Sequence, residues 1–135
     1  MSHFTKVATK INNLPALSEA LKKLGWKFST AAEGQGVVVR GYKGQKIEAA
    51  MSIDMGKYDI GVVQAEDGTY GLVSDWWGVE TTVGKTEQEV VEEISREYAY
   101  ARVVQACEEQ GYQIAREDIT VAADGSVQLL ASKWG

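Results

Sequence analysis

Few residues of this chain belong to types that do chemistry. There is a single histidine, His3, and a single cysteine, Cys107. A Ser–His–Asp or Cys–His arrangement would have to recruit His3 from the start of the chain, and His3 reads better as the beginning or cap of a first strand. One Cys and one His cannot build a zinc site alone, and Cys107 sits where a buried cysteine acts as a small hydrophobe. Carboxylates remain: Asp59 and Asp75, near Arg40, are the residues that could share general acid–base work. No Walker-type loop is present, and Gly34-Gln35-Gly36 lacks the surroundings of a dinucleotide fingerprint. The expectation is a chain without cofactor, metal or catalytic set.

Binding chemistry is better supplied. Arg40-Gly41-Tyr42-Lys43-Gly44-Gln45-Lys46 mixes cations with an aromatic ring, and its glycines let backbone approach a ligand. Arg40, Tyr42, Lys43 and Lys46 are therefore candidates for anion or nucleic-acid contact, against the plainer reading of a β-turn with solvated lysines. Ser74-Asp75-Trp76-Trp77-Gly78 carries adjacent tryptophans. If the run is extended, successive side chains point to opposite faces, so one indole enters the core and the other faces away. An outward Trp is a large apolar surface suited to a partner, against the plainer reading that both rings pack, one on each side of a sheet corner bent at Gly78. Tyr100 is a second surface aromatic, because Tyr98 falls on a core stripe and Tyr100 points elsewhere. Trp76, Trp77 and Tyr100 are the candidate partner-binding residues.

The bulk properties bound these readings. The 135 residues form one domain, with 44% apolar and 24% charged side chains and a net charge of -5. A chain of this length buries about two-thirds of its unfolded surface, so it needs no disulfide or metal staple. Residues 1–60 carry nine Lys/Arg against five Asp/Glu, and residues 61–135 carry five against fourteen. An acidic chain is a poor general nucleic-acid binder, although a basic first half can hold a local patch. No apolar run approaches the ~18 residues that span a bilayer, and no apolar core of signal-peptide length follows Met1. These features point to the cytoplasm or an organelle interior.

The elements that must position the candidates follow from pattern. Residues 3–11 partly alternate and read as a strand. Asn12-Asn13 offers an N-cap and Pro15 a first turn, while Leu14, Leu17, Leu21 and Leu24 share one helical face. Gly25 ends that helix as a left-handed cap, with Trp26 behind it. Val37 to Val39 and Lys46 to Ile53 read as strands around Tyr42 to Gln45, with Asp54 to Lys57 as the next turn. Tyr58 to Ala65 and Thr69 to Ser74 flank the tight-turn pair Asp67-Gly68. Thr86-Glu87-Gln88-Glu89 is a capping box, opening a helix to Gln110 with Val90, Ile94, Tyr98, Ala101 and Val104 as its stripe. The Glu run at 87–97 is explained by the helix dipole and a solvated face. Gly111 and Tyr112 close it, and short strands follow at Tyr112 to Val121 and Ser126 to Ser132 around Asp124-Gly125. The expected fold is α+β: an antiparallel sheet with two helices packed on one face. Strand, helix and Gly-aromatic cap recur in both halves, which suggests a doubled strand-helix-hairpin unit.

The opening Met1-Ser2-His3-Phe4-Thr5-Lys6-Val7, the segment Arg40 to Gln45, Tyr58-Asp59-Ile60-Gly61, Asp75-Trp76-Trp77-Gly78 and Tyr98-Ala99-Tyr100 occur in this order. Together they resemble the ycf thirty-five family of hypothetical chloroplast reading frames, over nearly the whole chain. That family occurs in cyanobacteria, algal plastids and some other bacteria and phages, and has no assigned reaction or cofactor. The resemblance implies a cytoplasmic or stromal setting. The Gly-rich loop from Ala31 to Gly36 looks like a variable insertion. The leading expectation is a non-catalytic accessory or adaptor protein with a protein partner and no membrane insertion. The alternatives are a nucleic-acid binder using residues 40–46 and a small enzyme using carboxylates.

Overall fold

The structure, a computed structural model, describes residues 5–31, 37–39, 46–47, 49–114, 116–121, 127–129 and 132–133. The chain opens with β1 (Thr5–Ala8) and helix α1 (Leu14–Leu24), followed by β2 (Phe28–Thr30), β3 (Val37–Val38), β4 (Lys46–Ile47), β5 (Met51–Asp54), β6 (Asp59–Gln64) and β7 (Tyr70–Ser74). Helices α2 (Trp76–Val83) and α3 (Glu87–Glu109) come next. The chain continues through β8 (Tyr112–Gln113), a 3-10 turn at Arg116–Asp118, β9 (Ile119–Val121), β10 (Val127–Leu129) and β11 (Ser132–Lys133). The class is α+β, as expected.

The main sheet has five antiparallel strands in the order β1-β7-β6-β5-β2. Register opposes Ile53 to Ile60, Met51 to Val62, and Val62 to Leu72. Side chains alternate across strands, so Met51, Ile53, Ile60, Val62 and Leu72 share one face. They meet Leu17 and Leu21 of α1, Val79 of α2, and Val90 and Ile94 of α3 in a single buried cluster. Each such side chain, fully buried, contributes about 2 kcal/mol of transfer free energy.

Local chemistry explains the boundaries. Asn13 Oδ1 accepts from Ala16 N at 3.0 Å, and Gly25 closes α1 at φ 76° with Trp26 N donating to Leu21 O at 3.1 Å. This is the left-handed cap read from the sequence. Thr86 Oγ1 accepts from Glu89 N and Glu89 Oε1 from Thr86 N, both at 3.2 Å, completing the capping box. The β6–β7 turn holds Asp67, whose carboxyl lies below its ordinary value because the Thr69 side chain and backbone donate to it.

The structure corrects the expectation in four places. The run from Ser74 to Gly78 is not extended; it begins α2, a third helix with Asp75 as its N-cap. Asp75 Oδ1 accepts from Gly78 N at 3.0 Å, and an Asp cap outweighs the poor helix propensity of Gly78 and the β-branched residues behind it. The expected strand from Lys46 to Ile53 is broken. Ala50 N donates to Val62 O at 2.7 Å although Met51 is the residue in register with Val62, so two residues face one and the strand bends as a bulge. The strand expected over 112–121 is interrupted at Arg116-Glu117-Asp118, a charged run without alternation. The two halves also share an order of elements without sharing the sheet. All five strands of the main sheet precede residue 75, while β8 pairs with β11 and β9 with β10. The turn expected at Asp124-Gly125 lies outside the described residues.

Two motifs singled out in the sequence meet at the start of α2. A Cβ built on Gly78 would lie 2.5 to 2.7 Å from ring atoms of Tyr58, and Ser74 Oγ donates to the Asp59 carbonyl at 2.9 Å. Tyr58 packs against the core, so its ring has little room to swing. Ala at an ordinary helix interior gains about 1 kcal/mol over Gly. Here the clash decides, and Gly78→Ala is expected to destabilise the chain by about 1–3 kcal/mol in urea unfolding; a stabilised variant would refute the contact. Asp75→Ala is expected to cost about 1–2 kcal/mol through loss of the cap, with Asp75→Asn recovering most of it.

Candidate functional site

Adjacent residues on a helix point about 100° apart, and α2 uses that angle to divide its tryptophans. Trp76 is 6% exposed and packs in the core. Its Nε1 donates to Thr5 O at 2.9 Å, tying α2 to the edge strand β1. Trp77 is 57% exposed, and it and Val83 are the large exposed apolar side chains among the described residues. One indole is inward and one outward, through helical rather than extended geometry. Trp76 is mostly buried and its one polar atom is engaged, so it contributes to this surface only from beneath.

Trp77 walls a cleft of about 630 Å³ between α2 and the first turns of α3. Val7, Trp76 and Val91 give it an apolar floor. Its rim carries Glu80 from α2 and Glu87 and Glu92 from α3. These positions follow from spacing: Trp77 and Glu80 are three residues apart on one helix, and Glu87 and Val91 four apart on the next. Gln88 Nε2 donates to Glu92 Oε1 at 3.1 Å. None of Glu80, Glu87 and Glu92 forms a salt bridge with a described residue. Lys85, the cation nearest along the chain, is committed elsewhere: its Nζ donates to both Glu93 carboxylate oxygens at 2.8 Å and lies 5.4 Å from the Trp26 ring centroid.

The glutamates are what sequence reasoning missed. In sequence the Glu run reads as helix capping and a solvated face, and Glu87 does begin α3 beside its capping box. The same side chains also border the Trp77 cleft. The signal was available in the spacing of Trp77 and Glu80, and became legible once Asp75 is read as an N-cap.

Tyr100 is not part of this surface. It is half-buried in a second cleft of about 450 Å³ between α1 and α3, beside Pro15, Ala16, Ala20, Ala101 and Val104. The two clefts share no lining residue. Tyr98 follows its expected stripe, packing against the core while its hydroxyl accepts from Asn12 N at 3.1 Å and donates to Asn12 Oδ1 at 3.2 Å.

The other candidates separate as well. Arg40, Tyr42 and Lys43 lie outside the described residues, and Lys46 is described only through the pairing of its backbone with Val38. Asp59, 5% exposed, lines a cleft of about 940 Å³ with Ser29, Ser52 and Asp54, its cross-strand neighbour. Asp75, 2% exposed, does not line that cleft and spends its carboxylate on the α2 cap. The β6–β7 register, carried past Ser74, sets Asp75 across from Asp59, but the Asp75 carboxylate is engaged by the α2 cap. Among the described residues, no helix is long and apolar enough to cross a membrane.

Comparison with known proteins places this architecture in a lineage. A family described as "Protein of unknown function (DUF1257)" matches residues 20–130. A protein named "Uncharacterized protein ycf35" from Guillardia theta is 30% identical over 141 residues, covering 99% of this chain and 98% of the relative. Proteins of the same name from Cyanophora paradoxa and Pyropia yezoensis are each 28% identical, with the same coverage. No solved structure matches the chain. The motifs that resemble the ycf thirty-five reading frames are thus accompanied by end-to-end similarity, and the chain belongs to the DUF1257 family of ycf35 proteins.

Proposed function

We propose that the chain is a non-catalytic adaptor that docks a protein partner on the cleft walled by Trp77. One observation carries this reading: in an adjacent pair of tryptophans, α2 buries Trp76 and leaves more than half of Trp77 in solvent. Exposing an indole costs apolar hydration that a monomer gains nothing by accepting, and Trp is favoured at protein interfaces where its ring fills a partner's pocket. The apolar floor beneath it offers further area to bury, and the carboxylate rim supplies polar edges of the kind that surround interface cores. The setting we infer is the cytoplasm of cyanobacterial cells or the stroma of plastids, supported by the resemblance to plastid reading frames. A catalytic role has less support, because the Asp75 carboxylate is taken up in capping α2.

Affinity capture from a native extract tests the reading, with Trp77→Ala and Lys43→Ala beside the parent. Because Trp77 is mostly exposed, Trp77→Ala is expected to change stability by less than about 1 kcal/mol. It is expected to reduce recovery of a specific protein partner more than about tenfold, with Lys43→Ala retaining it. Equal recovery with Trp77→Ala would overturn the docking site. Recovery of nucleic acid, lost with Lys43→Ala and with added salt, would replace it by binding through residues 40–46.

A further inference from the structure

Resting on that reading, we infer that the occupant of the Trp77 cleft is a basic segment of another protein, presenting a lysine or arginine to the Trp77 ring between Glu80, Glu87 and Glu92. Charge comes first. Three exposed carboxylates border one apolar floor, and no described cation pairs with them. A neutral partner closing over this rim would strip water from the glutamates and return nothing, whereas a cation offsets that desolvation. A nucleic acid would be repelled by the same groups. Shape comes second. Lysine and arginine carry long aliphatic stems, which lie along apolar surface while the charged head stays at a polar edge. The floor of Val7 and Val91 beneath an acidic rim fits that division.

The chain itself contains the arrangement in occupied form. Lys85 stands over the Trp26 ring at 5.4 Å while its Nζ bonds both Glu93 oxygens at 2.8 Å. A tryptophan face and a carboxylate together hold one ammonium, each from a separate element. Trp77 with Glu80 and Glu92 repeats the aromatic and the carboxylates without the cation. Cation–π attraction on Trp strengthens when water is excluded, which a docked segment would do.

The probe is a synthetic amphipathic peptide of lysine and leucine, with a counterpart carrying glutamine for every lysine. Each is titrated against the parent chain, Trp77→Ala, and the triple variant Glu80→Gln, Glu87→Gln, Glu92→Gln, by calorimetry at low salt and by the indole NH resonances. All four substituted positions are exposed, and circular dichroism verifies folding of each variant. The lysine peptide is expected to bind and shift the Trp77 indole resonance, losing affinity about tenfold or more with Trp77→Ala and with the triple variant. The glutamine peptide is expected to bind at least tenfold more weakly than the lysine peptide. No binding of the lysine peptide overturns the inference, as does equal binding of the two peptides. If binding falls with Trp77→Ala but not with the triple variant, the cleft docks proteins and only its basic preference fails. If neither variant changes binding, and capture from extract is likewise indifferent to Trp77→Ala, both readings fail. Concentration-dependent self-association abolished by the triple variant would make the occupant a second copy of this chain and overturn the assignment to another protein.

Discussion

Asp75 carries its carboxylate almost wholly out of water, and it can do so because Gly78 N is there to donate to it. That hydrogen bond turns the chain from strand to helix at the end of β7. Without it, Trp76 and Trp77 would continue along the sheet, and their rings would divide between its two faces. With it, Trp76 turns into the core to meet Val79 and to donate to β1, and Trp77 is left to solvent. The close approach of Tyr58 to Gly78 completes the corner, since any side chain at 78 would push the ring away. A buried carboxylate is costly unless its oxygens are satisfied. The N-terminus of a helix meets that need with backbone donors and the positive end of the dipole.

The residues that carry the family resemblance now have a mechanical reading. Tyr58-Asp59 and Asp75-Trp76-Trp77-Gly78 are distant in sequence and adjacent in space. Tyr58 lies against Gly78, and the Asp59 carbonyl accepts from Ser74, the residue before the cap. Most of this corner builds the fold. Trp77 is the member of this corner whose side chain lies mostly in solvent.

Much of the framework was legible because its signals are local. Asn13, Gly25, Thr86 and Glu89 announce helix ends through backbone hydrogen bonding that any chain must satisfy. Asp67-Gly68 announces a turn through the backbone freedom of Gly68, at φ 89°. Local signals fail where a tertiary contact decides. The bend at Ala50 depends on which carbonyl of β6 its amide meets, whereas the α2 cap at Asp75 is local and is hidden only by the strand-like residues before it. The joining of Glu80 with Glu87 and Glu92 requires two helices to come together, and no periodicity within either one reports it.

The link between α2 and α3 is only Gly84, Lys85 and Thr86, and each of the three is pinned. Gly84 closes one helix in the left-handed region, Thr86 opens the next through its capping box, and Lys85 is clamped between Glu93 and Trp26. The two walls of the Trp77 cleft therefore cannot part without breaking several contacts at once. A groove held in this way is preorganised. A ligand entering it pays little to order the receptor, so more of the energy of its contacts is kept as affinity.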